Sequence, residues 1–239
     1  MKKILKIILC ILNPHLFRSY IRLTFPLFEL RYVFQFINKL STLIDVGSNK
    51  GQFSILARLY FPKLKIYSFE PQLDQLNIQK KNLGKKNIKY FNNALGKKNK
   101  KIKFFITKRK DSSSLLHPHL NLQSYKIINV KQIFINSLDN ILKKKNIKKP
   151  IILKIDTQGY ELEVLKGSKN ILAQVDYILC EVSYLNAYKK QVKANNLINY
   201  LKKKSFKVTL RLNKSLYRKK LFQEDILFRN SKTINKSIT

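Results

Sequence analysis

The chain has 239 residues, of which 44% are hydrophobic, so it is long and apolar enough to form a folded core, which excludes the disordered and low-complexity classes. Its two cysteines exclude a disulfide framework and cannot form a zinc site without other ligands. The 49 basic and 13 acidic residues give a formal net charge of +36, which usually indicates a nucleic-acid or anionic-membrane partner.

The kind of basic residue argues against nucleic-acid binding as the reason for that charge. Of the basic residues, 41 are lysine and 8 are arginine, whereas proteins that read phosphates and bases favour arginine for its bidentate fork. Lysine, isoleucine and asparagine together make up 91 residues, and all three have A/T-rich codons. We therefore attribute the charge to composition and do not expect nucleic acid as a partner. The scarcity of acids makes each retained carboxylate a candidate functional group.

The sequence divides into an apolar, basic N-terminal segment, a main domain and a polar tail, at residues 1–40, 41–230 and 231–239. Residues 1–12 form a short apolar run, which Lys6 interrupts and which is far shorter than the ~20 residues of a membrane-spanning helix. Residues 16–40 are rich in aromatic side chains with arginines between them. They predict either helices that cover one face of the main domain or a peripheral attachment to an anionic membrane. We expect a cytoplasmic protein, with any such attachment at the inner face of the membrane.

The main domain alternates predicted strands and helices in chain order. The predicted strands are the apolar or alternating runs 42–46, 65–69, 88–95, 102–107, 127–135, 151–156, 176–182, 206–212 and 225–228. The predicted amphipathic helices are 51–60, 73–83, 161–172 and 190–204. Some of the runs 88–95, 102–107 and 127–135 are expected to pair antiparallel, and the last two runs to form a closing β pair. This order predicts an α/β domain with a mostly parallel central sheet, helices on both faces and an antiparallel strand at the edge.

Four of the predicted strands carry a carboxylate at or just past their carboxyl ends. These carboxylates are Asp45, Glu70, Asp156 and Glu181. Ligands of open parallel sheets bind outside the carboxyl ends of the strands. In a chain with only 13 acids, four such positions predict a ligand site at that edge of the sheet.

The loop after the first strand distinguishes between nucleotide ligands. A dinucleotide site needs Gly-x-Gly-x-x-Gly, with amides that face a pyrophosphate, but here Asn49 stands between Gly47 and Gly51. Asp45 would repel a pyrophosphate, whereas it would attract the ammonium and sulfonium groups of S-adenosylmethionine. Glu70, at the end of the next strand, could accept hydrogen bonds from both ribose hydroxyls. These residues favour S-adenosylmethionine over NAD.

Several motifs resemble the FkbM-type methyltransferases. They are LIDVGSNKG at 43–51, FEP at 69–71, NALG at 93–96, SSSL at 112–115, SLD at 137–139 and LKIDTQGYE at 153–161 followed by VLKG at 164–167. The match runs in order from about residue 42 to 229, and the LKIDTQGYE…VLKG block is its most specific part. Gln158 stands where many members carry glutamate, and Ser48 where alanine is common. The resemblance implies a class I Rossmann-like methyltransferase fold, S-adenosylmethionine as donor, and O-methylation of a small-molecule or glycan acceptor at the hydroxyl of a sugar or secondary metabolite.

The resemblance also implies roles for single residues. It places Asp45, Gly47, Asn49 and Gly51 around the methionyl and ribose parts of the donor. It places Glu70 with Pro71 at the ribose, and Asn93 and Ala94 beside the adenine. A hydroxyl acceptor gains from a base that removes its proton, and the candidates are, in order, Asp156, Glu161 and Glu181. Glu161 also has a structural interpretation, because the helix dipole favours a carboxylate in a first helical turn.

Two other functions stay open. An RNA or other nucleic-acid methyltransferase would suit the charge, but the sequence lacks an Asn-Pro-Pro-Tyr type motif and has few arginines. A non-enzymatic basic protein that binds nucleic acid or a membrane would not need carboxylates at four strand ends.

His117 and His119 lie close together in one loop and fit a base or part of a metal pair. Since no third ligand is adjacent, we expect an ordinary loop and no metal site.

Overall fold

The computed structural model describes residues 24–143 and 145–234. Its α-helices are α1 (Arg31–Phe36), α2 (Gln52–Tyr60), α3 (Leu73–Leu83), α4 (Leu138–Leu142), α5 (Glu161–Lys166), α6 (Lys169–Leu172), α7 (Ala194–Lys203) and α8 (Ser231–Ile234). Its strands are β1 (Thr42–Val46), β2 (Lys65–Phe69), β3 (Ile88–Phe91), β4 (Ala94–Leu95), β5 (Lys100–Thr107), β6 (Ile127–Asn136), β7 (Ile151–Ile155), β8 (Tyr177–Ser183), β9 (Phe206–Tyr217) and β10 (Lys220–Asn230).

The central sheet has the strand order β3-β2-β1-β7-β8-β10-β9. The first five of these strands run parallel, β10 is antiparallel to β8, and β9 is antiparallel to β10. The apolar strands β1 and β7 are buried over their whole length, as expected for a parallel sheet with both faces covered. The predicted α/β fold, with a mostly parallel sheet and an antiparallel edge, is confirmed.

The two faces of the central sheet pack on two apolar cores. Leu153 packs in the core that includes α5, α6 and α7, whereas Leu43 and Ile152 pack in the core that includes α1 and α2. Since side chains alternate along a strand, Asp45 and Lys154 share the side of the sheet that faces α1 and α2. This side therefore carries the charged residues of β1 and β7.

A smaller sheet has the order β4-β6-β5, in which β5 and β6 form the antiparallel pair expected among these runs, whereas β4 runs parallel to β6. The prediction of one strand over 88–95 was wrong, because β3 belongs to the central sheet and β4 to the smaller one. Asn92 lies between them, and its Nδ2 donates to the carbonyl oxygens of Glu70 (3.0 Å) and Pro71 (2.9 Å). These bonds hold the chain where it leaves the central sheet.

The predicted helix 161–172 is divided into α5 and α6. A Cβ at Gly167 would lie 2.0 Å from the carbonyl oxygen of Gly96, so two backbone segments cross closely between the helices. This crossing is a long-range contact, and helical periodicity carries no sign of it.

The described part of the N-terminal segment packs on the main domain. Its buried apolar side chains include Phe28, Leu30, Val33, Phe34, Ile37 and Leu40, which belong to the core that includes α2. Of the segment predicted to cover the domain or to attach to a membrane, residues 1–23 lie outside the described residues, as do residues 235–239 of the predicted tail. Within residues 24–143 and 145–234, no helix is both long and apolar enough to cross a membrane.

Candidate active site

A cavity of about 330 Å³ opens where the parallel strands end. The predicted site residues in its wall are Gly47, Asn49, Glu70, Pro71, Asn93, Ala94, Asp156 and Glu181. Three other predicted residues, Asp45, Gly51 and Glu161, lie outside that wall. The strand ends therefore bring most of the predicted residues to one cavity.

The loop between β1 and α2 is held tightly against β2 and β7. Gly47 has a φ of +73°, and its N–H donates to the carbonyl oxygen of Phe69 (3.0 Å). A Cβ at Gly47 would lie 1.8 Å from the carbonyl oxygen of Asp156, so only glycine fits between these strand ends. Gly51, at a φ of +84°, donates its N–H to the carbonyl oxygen of Ser48 (2.8 Å) just before α2 begins. The two glycines fix this loop beside the cavity.

Glu70 forms part of the wall just after β2 and is 4% exposed. Its Oε2 accepts the N–H of Asn49 (2.9 Å), and its Oε1 accepts the N–H of Gln72 (2.8 Å). Burial raises the pKa of Glu70 from 4.5 to about 7, although these two donors and Lys154 oppose the shift. Glu70 therefore changes charge near neutral pH.

Lys154 stands between two carboxylates. Its Nζ lies 3.3 Å from Oδ2 of Asp156 and 3.6 Å from Oδ1 of Asp45, and it donates to the carbonyl oxygen of Gly47 (3.0 Å). Asp45 is opposite Lys154 in the register of β1 and β7, and Asp156 is two residues further on the same side. Burial opposes a charged ammonium, but Asp156 and Asp45 outweigh it and raise the pKa of Lys154. The charged Lys154 in turn stabilises the Asp156 carboxylate, whose side chain is 32% exposed.

Asp45 is completely buried and lies behind the cavity wall. Its Oδ2 accepts the hydroxyl of Ser54 in α2 (2.7 Å), whereas its Oδ1 has no hydrogen-bond partner among the described residues. Burial raises the pKa of Asp45, and Lys154 and Ser54 oppose that shift. Asp45 thus links β1 with α2 and Lys154 rather than contacting the cavity.

Gln158 joins three side chains at the end of β7. Its Nε2 donates to Oδ1 of Asp156 (2.8 Å) and lies 3.4 Å from Oε1 of Glu181. Its Oε1 lies 2.9 Å from the hydroxyl of Tyr188, which donates to it. Gln158 was expected only to be a departure from the family motif. Its position between Asp156 and Glu161 in the sequence was the signal that it could contact the site residues.

Two carboxylates meet on β8 and β10. Asp225 lies opposite Glu181 in the strand register, and both line the cavity. Gln223 donates to Oε1 of Glu181 (2.8 Å), and Asn213 donates to Oδ2 of Asp225 (2.8 Å). Burial and the charges of Asp156 and Asp225 raise the pKa of Glu181 well above its usual value, and burial together with Asp156 raises that of Asp225 to about 6. Asp225 is not among the predicted residues because it is not at the end of a strand: the antiparallel β10 reaches the cavity near its middle.

Glu161 holds the turn after β7. Its Oε1 accepts the N–H groups of Thr157 (3.0 Å) and Gly159 (2.9 Å) and the Thr157 hydroxyl (3.2 Å). Burial raises the pKa of Glu161 to about 7, against the effect of these donors. Its carboxylate fastens the turn that carries Gln158.

The serine run connects the loop after β5 to the same turn. Ser112 and Ser113 line the cavity, and Ser114 Oγ donates to the carbonyl oxygen of Gln158 (2.6 Å). The hydroxyl of Tyr188 also lies 2.8 Å from the carbonyl oxygen of Ser112. This loop is therefore tied to the wall on two sides.

His117 and His119, which were considered as a base or part of a metal pair, lie outside the cavity wall. The His117 ring packs edge-on against Phe105, with centroids 5.1 Å apart, and its Nδ1 lies 2.7 Å from the carbonyl oxygen of Pro118. His119 is exposed. In the part of the chain that the structure describes, no group of three or more His, Cys, Asp or Glu side chains is placed to hold a metal ion.

The donor and acceptor atoms of the wall fit a cationic ligand with hydroxyl groups, as S-adenosylmethionine is. The wall contains the carboxylates of Glu70, Asp156, Glu181 and Asp225. Asn49 Oδ1 is buried and has no hydrogen-bond partner among the described residues. An unpaired acceptor of this kind suits an ammonium donor, and each Glu70 oxygen can still accept a hydroxyl hydrogen.

One known family matches the part of the chain that forms most of the cavity wall. The model of the methyltransferase FkbM domain matches residues 45–208. A stretch of 44 residues is 39% identical to the hexuronic acid methyltransferase AglP of Haloferax volcanii, and this stretch is 18% of this chain and 18% of that protein. The chain thus aligns with only a small part of that curated relative.

Solved structures resemble the fold at low sequence identity. TehB from Haemophilus influenzae is 12% identical, with a TM-score of 0.50 over 85% of this chain and 62% of that chain. Magnesium protoporphyrin IX methyltransferase from Synechocystis PCC 6803 with bound SAM is 11% identical, with a TM-score of 0.48 over 92% of this chain and 85% of that chain. The match to the FkbM domain, the strand order and the likeness to the TehB fold confirm the expected class I Rossmann-like methyltransferase fold.

Proposed function

Because the chain belongs to the FkbM methyltransferase family, we propose that it transfers a methyl group from S-adenosylmethionine to a hydroxyl of a sugar or glycan. The observation that carries this proposal is the Asp156 carboxylate, which lines the cavity with its Oδ2 3.3 Å from the buried ammonium of Lys154. A charged carboxylate at that position can accept the proton that a hydroxyl loses when it is methylated.

The first half of the chain supplies the groups for the donor. Glu70 would accept the ribose hydroxyls, and the buried Asn49 Oδ1 would accept an N–H of the methionyl ammonium. Asn93 and Ala94, also in the wall, would flank the adenine. When bound, the donor supplies a methyl group on a positively charged sulfur, and the carboxylates of the wall suit that charge.

The later half supplies groups for the acceptor. Asp156 would take the hydroxyl proton while Lys154 stabilises its charge, and Gln158 holds its Oδ1 through a 2.8 Å hydrogen bond. As the acceptor oxygen bonds to the methyl carbon, the bond from that carbon to sulfur breaks and its electron pair stays on sulfur. Because methyl transfer is an in-line displacement, this fixed placement contributes to the rate beside the base.

The polar groups of the wall favour a carbohydrate acceptor. Gln158, Asn213 and Gln223 present planar amides, and Tyr125 adds an aromatic ring to the wall. Amides and carboxylates hydrogen-bond neighbouring hydroxyls, and a ring packs against the C–H face of a sugar. The aligned stretch of the hexuronic acid methyltransferase points to the same acceptor class.

The test combines donor binding with methyl transfer. Calorimetry measures S-adenosylmethionine affinity, and mass spectrometry follows methylation of nucleotide sugars and glycans. We expect Asp156→Asn to keep the donor affinity within a few-fold and to lower methyl transfer by ~10²-fold or more, the usual range for a lost acid–base group. Glu163→Gln is the matched control, because Glu163 pairs with Lys166 (2.7 Å) away from the cavity wall.

Three results would contradict the proposal. If the wild-type chain does not bind S-adenosylmethionine at millimolar concentration, the enzyme function fails. If Asp156→Asn turns over at a near-normal rate, Asp156 is not the base. Methylation of RNA, but of no sugar or glycan, would replace the proposed acceptor with nucleic acid.

A further inference from the structure

The small sheet has an exposed apolar face. Ile128, Val130 and Phe134 are 57%, 46% and 52% exposed. Val130 and Phe134 occupy alternating positions of β6, while the neighbouring Ile135 is completely buried. Because side chains alternate along a strand, Val130 and Phe134 point to the same outward side of the sheet. Ile128 lies beside them, where the register of β5 and β6 shifts.

The same face is strongly basic. Lys101 lies opposite Phe134 and Lys103 opposite Gln132 in the register of β5 and β6, so these two lysines share the outward side. We call this surface, defined by Lys101, Lys103, Ile128, Val130 and Phe134, the β5–β6 face. The segments 97–108 and 126–136, which build it, contain eight lysines and no aspartate or glutamate.

From this combination we infer that the β5–β6 face docks on an anionic lipid bilayer. Exposed aliphatic and aromatic side chains enter the boundary between headgroups and acyl chains, and lysines around them attract anionic headgroups. Single-stranded nucleic acid would instead be bound by aromatic stacking and by arginine, whereas two of the three exposed apolar side chains here are aliphatic and the basic groups are lysines. A second copy of the chain would bring like charges together.

The docking would place the cavity beside the membrane. Arg109, two residues after β5, and Tyr125, two residues before β6, both line the cavity. The wall is therefore continuous with the two strands of the β5–β6 face. If the proposed function holds, its acceptor hydroxyl belongs to a lipid-linked or membrane-bound glycan, a consequence that rests on that function, whereas the docking does not.

The chain has no tryptophan, so one introduced tryptophan reports on a single position. Full-length Phe134→Trp is mixed at about 0.15 M salt with phosphatidylcholine vesicles containing about one third phosphatidylglycerol. We expect its emission to shift to shorter wavelength and to be quenched by brominated lipid. Tyr60→Trp is the matched control, since Tyr60 is a 39% exposed aromatic at the end of α2 remote from the glycine loop, and its emission should not change.

A second pair of variants tests the lysines without changing the apolar side chains. Lys101→Glu with Lys103→Glu should reduce sedimentation with these vesicles at least five-fold more than Lys202→Glu with Lys203→Glu, which makes the same charge change in the last turn of α7. An equal loss of sedimentation in both pairs of variants would show that the net charge of the whole protein attracts the vesicles, and it would overturn the docking site.

Other outcomes would also overturn the inference. An unchanged Phe134→Trp emission with vesicles excludes insertion of this face. A shift that grows with protein concentration without lipid would assign the face to a second copy, and a shift with RNA alone would assign it to nucleic acid. Since none of these measurements uses a methyl donor or acceptor, failure here leaves the proposed methyl transfer untouched, and an inactive enzyme leaves the docking untouched.

Discussion

We expect Glu70 to couple donor binding to pH. Burial raises its pKa from 4.5 to about 7, so near pH 6 it is mostly protonated and near pH 8 mostly charged. Only the charged form can accept a ribose hydroxyl on each oxygen without giving up one of its two N–H partners. We therefore expect S-adenosylmethionine affinity, measured by calorimetry, to rise several-fold between pH 6 and pH 8.

Glu70→Gln separates this effect from the titration of the ligand. The amide does not change charge, so the variant should bind the donor more weakly at pH 8 and show only the pH dependence that the ligand's own groups cause. If wild type and Glu70→Gln follow parallel curves, Glu70 does not bind the donor in its charged form.

Glu161 should make folding stability depend on pH. Its pKa is raised by burial from 4.5 to about 7, so the folded state holds a proton that the unfolded state has already lost. The resulting stabilisation is fully present below about pH 4.5 and is lost as the pH rises through about 7.

Across that window the loss should be about 3 kcal/mol, because each pKa unit corresponds to about 1.4 kcal/mol. Glu161→Gln should remove this part of the dependence of the unfolding free energy on pH, as measured by urea denaturation between pH 5 and pH 8. The same slope in wild type and variant would mean that Glu161 is charged in the folded protein throughout.

At the scale of elements, the glycine loop sets the spacing between β1 and β7. A Cβ at Gly47 meets the carbonyl oxygen of Asp156 at 1.8 Å, whereas a Cβ at Gly84, at a φ of +67°, has no atom within 4 Å. Both positions carry the backbone cost of an L-residue at positive φ, roughly 1–3 kcal/mol, but only Gly47→Ala also forces two strand ends apart.

We expect Gly84→Ala to bind the donor like wild type and Gly47→Ala to be further destabilised by about 2 kcal/mol or more and to lose donor affinity. Thermal unfolding and calorimetry of the two variants measure this difference. Equal stability and donor affinity would show that the backbone at residue 156 can move away at little cost.

The elements also show how far the sequence predicts the site. Buried apolar runs gave β1, β2 and β7, and the rule that ligands bind at strand ends brought Glu70, Asp156 and Glu181 to one cavity. Contacts between distant segments could not be predicted from the sequence. One is the crossing of Gly96 and Gly167 between α5 and α6, and another is the position of Asp225, which reaches the cavity from an antiparallel strand.

Individual roles were harder to predict than positions. A carboxylate at the end of a strand can either face the cavity or form hydrogen bonds with the structural elements behind the cavity wall. Asp45 and Glu161 have their hydrogen bonds with Ser54 and with the turn after β7, which only side-chain geometry reveals. The catalytic and cofactor roles of the wall residues remain predictions.

At the scale of the molecule, the charge is unevenly distributed. The net charge is +36, yet the cavity wall holds Glu70, Asp156, Glu181 and Asp225. The lysines attract an anionic polymer through their summed charge rather than through one defined site. We expect binding to RNA or DNA to be weak, independent of sequence and lost steeply between ~50 and ~200 mM salt.

Filter binding of two unrelated RNAs of equal length, over a salt series, checks this expectation. Both should give the same affinity and the same salt slope. Tight binding of one RNA that persists at high salt would contradict the compositional origin of the charge and favour an RNA acceptor.

The two sides of the cavity come from separate stretches of the chain. The groups proposed for the donor lie between Val46 and Leu95, whereas those proposed for the acceptor come from Tyr125 onward, including the β9–β10 hairpin. Mutations in the later stretches can therefore alter which molecule is methylated while the earlier stretch keeps its ligand. Such a division lets descendants of one ancestor diverge in substrate while inheriting a common chemistry, and it marks the hairpin as the segment to exchange when a new acceptor is wanted.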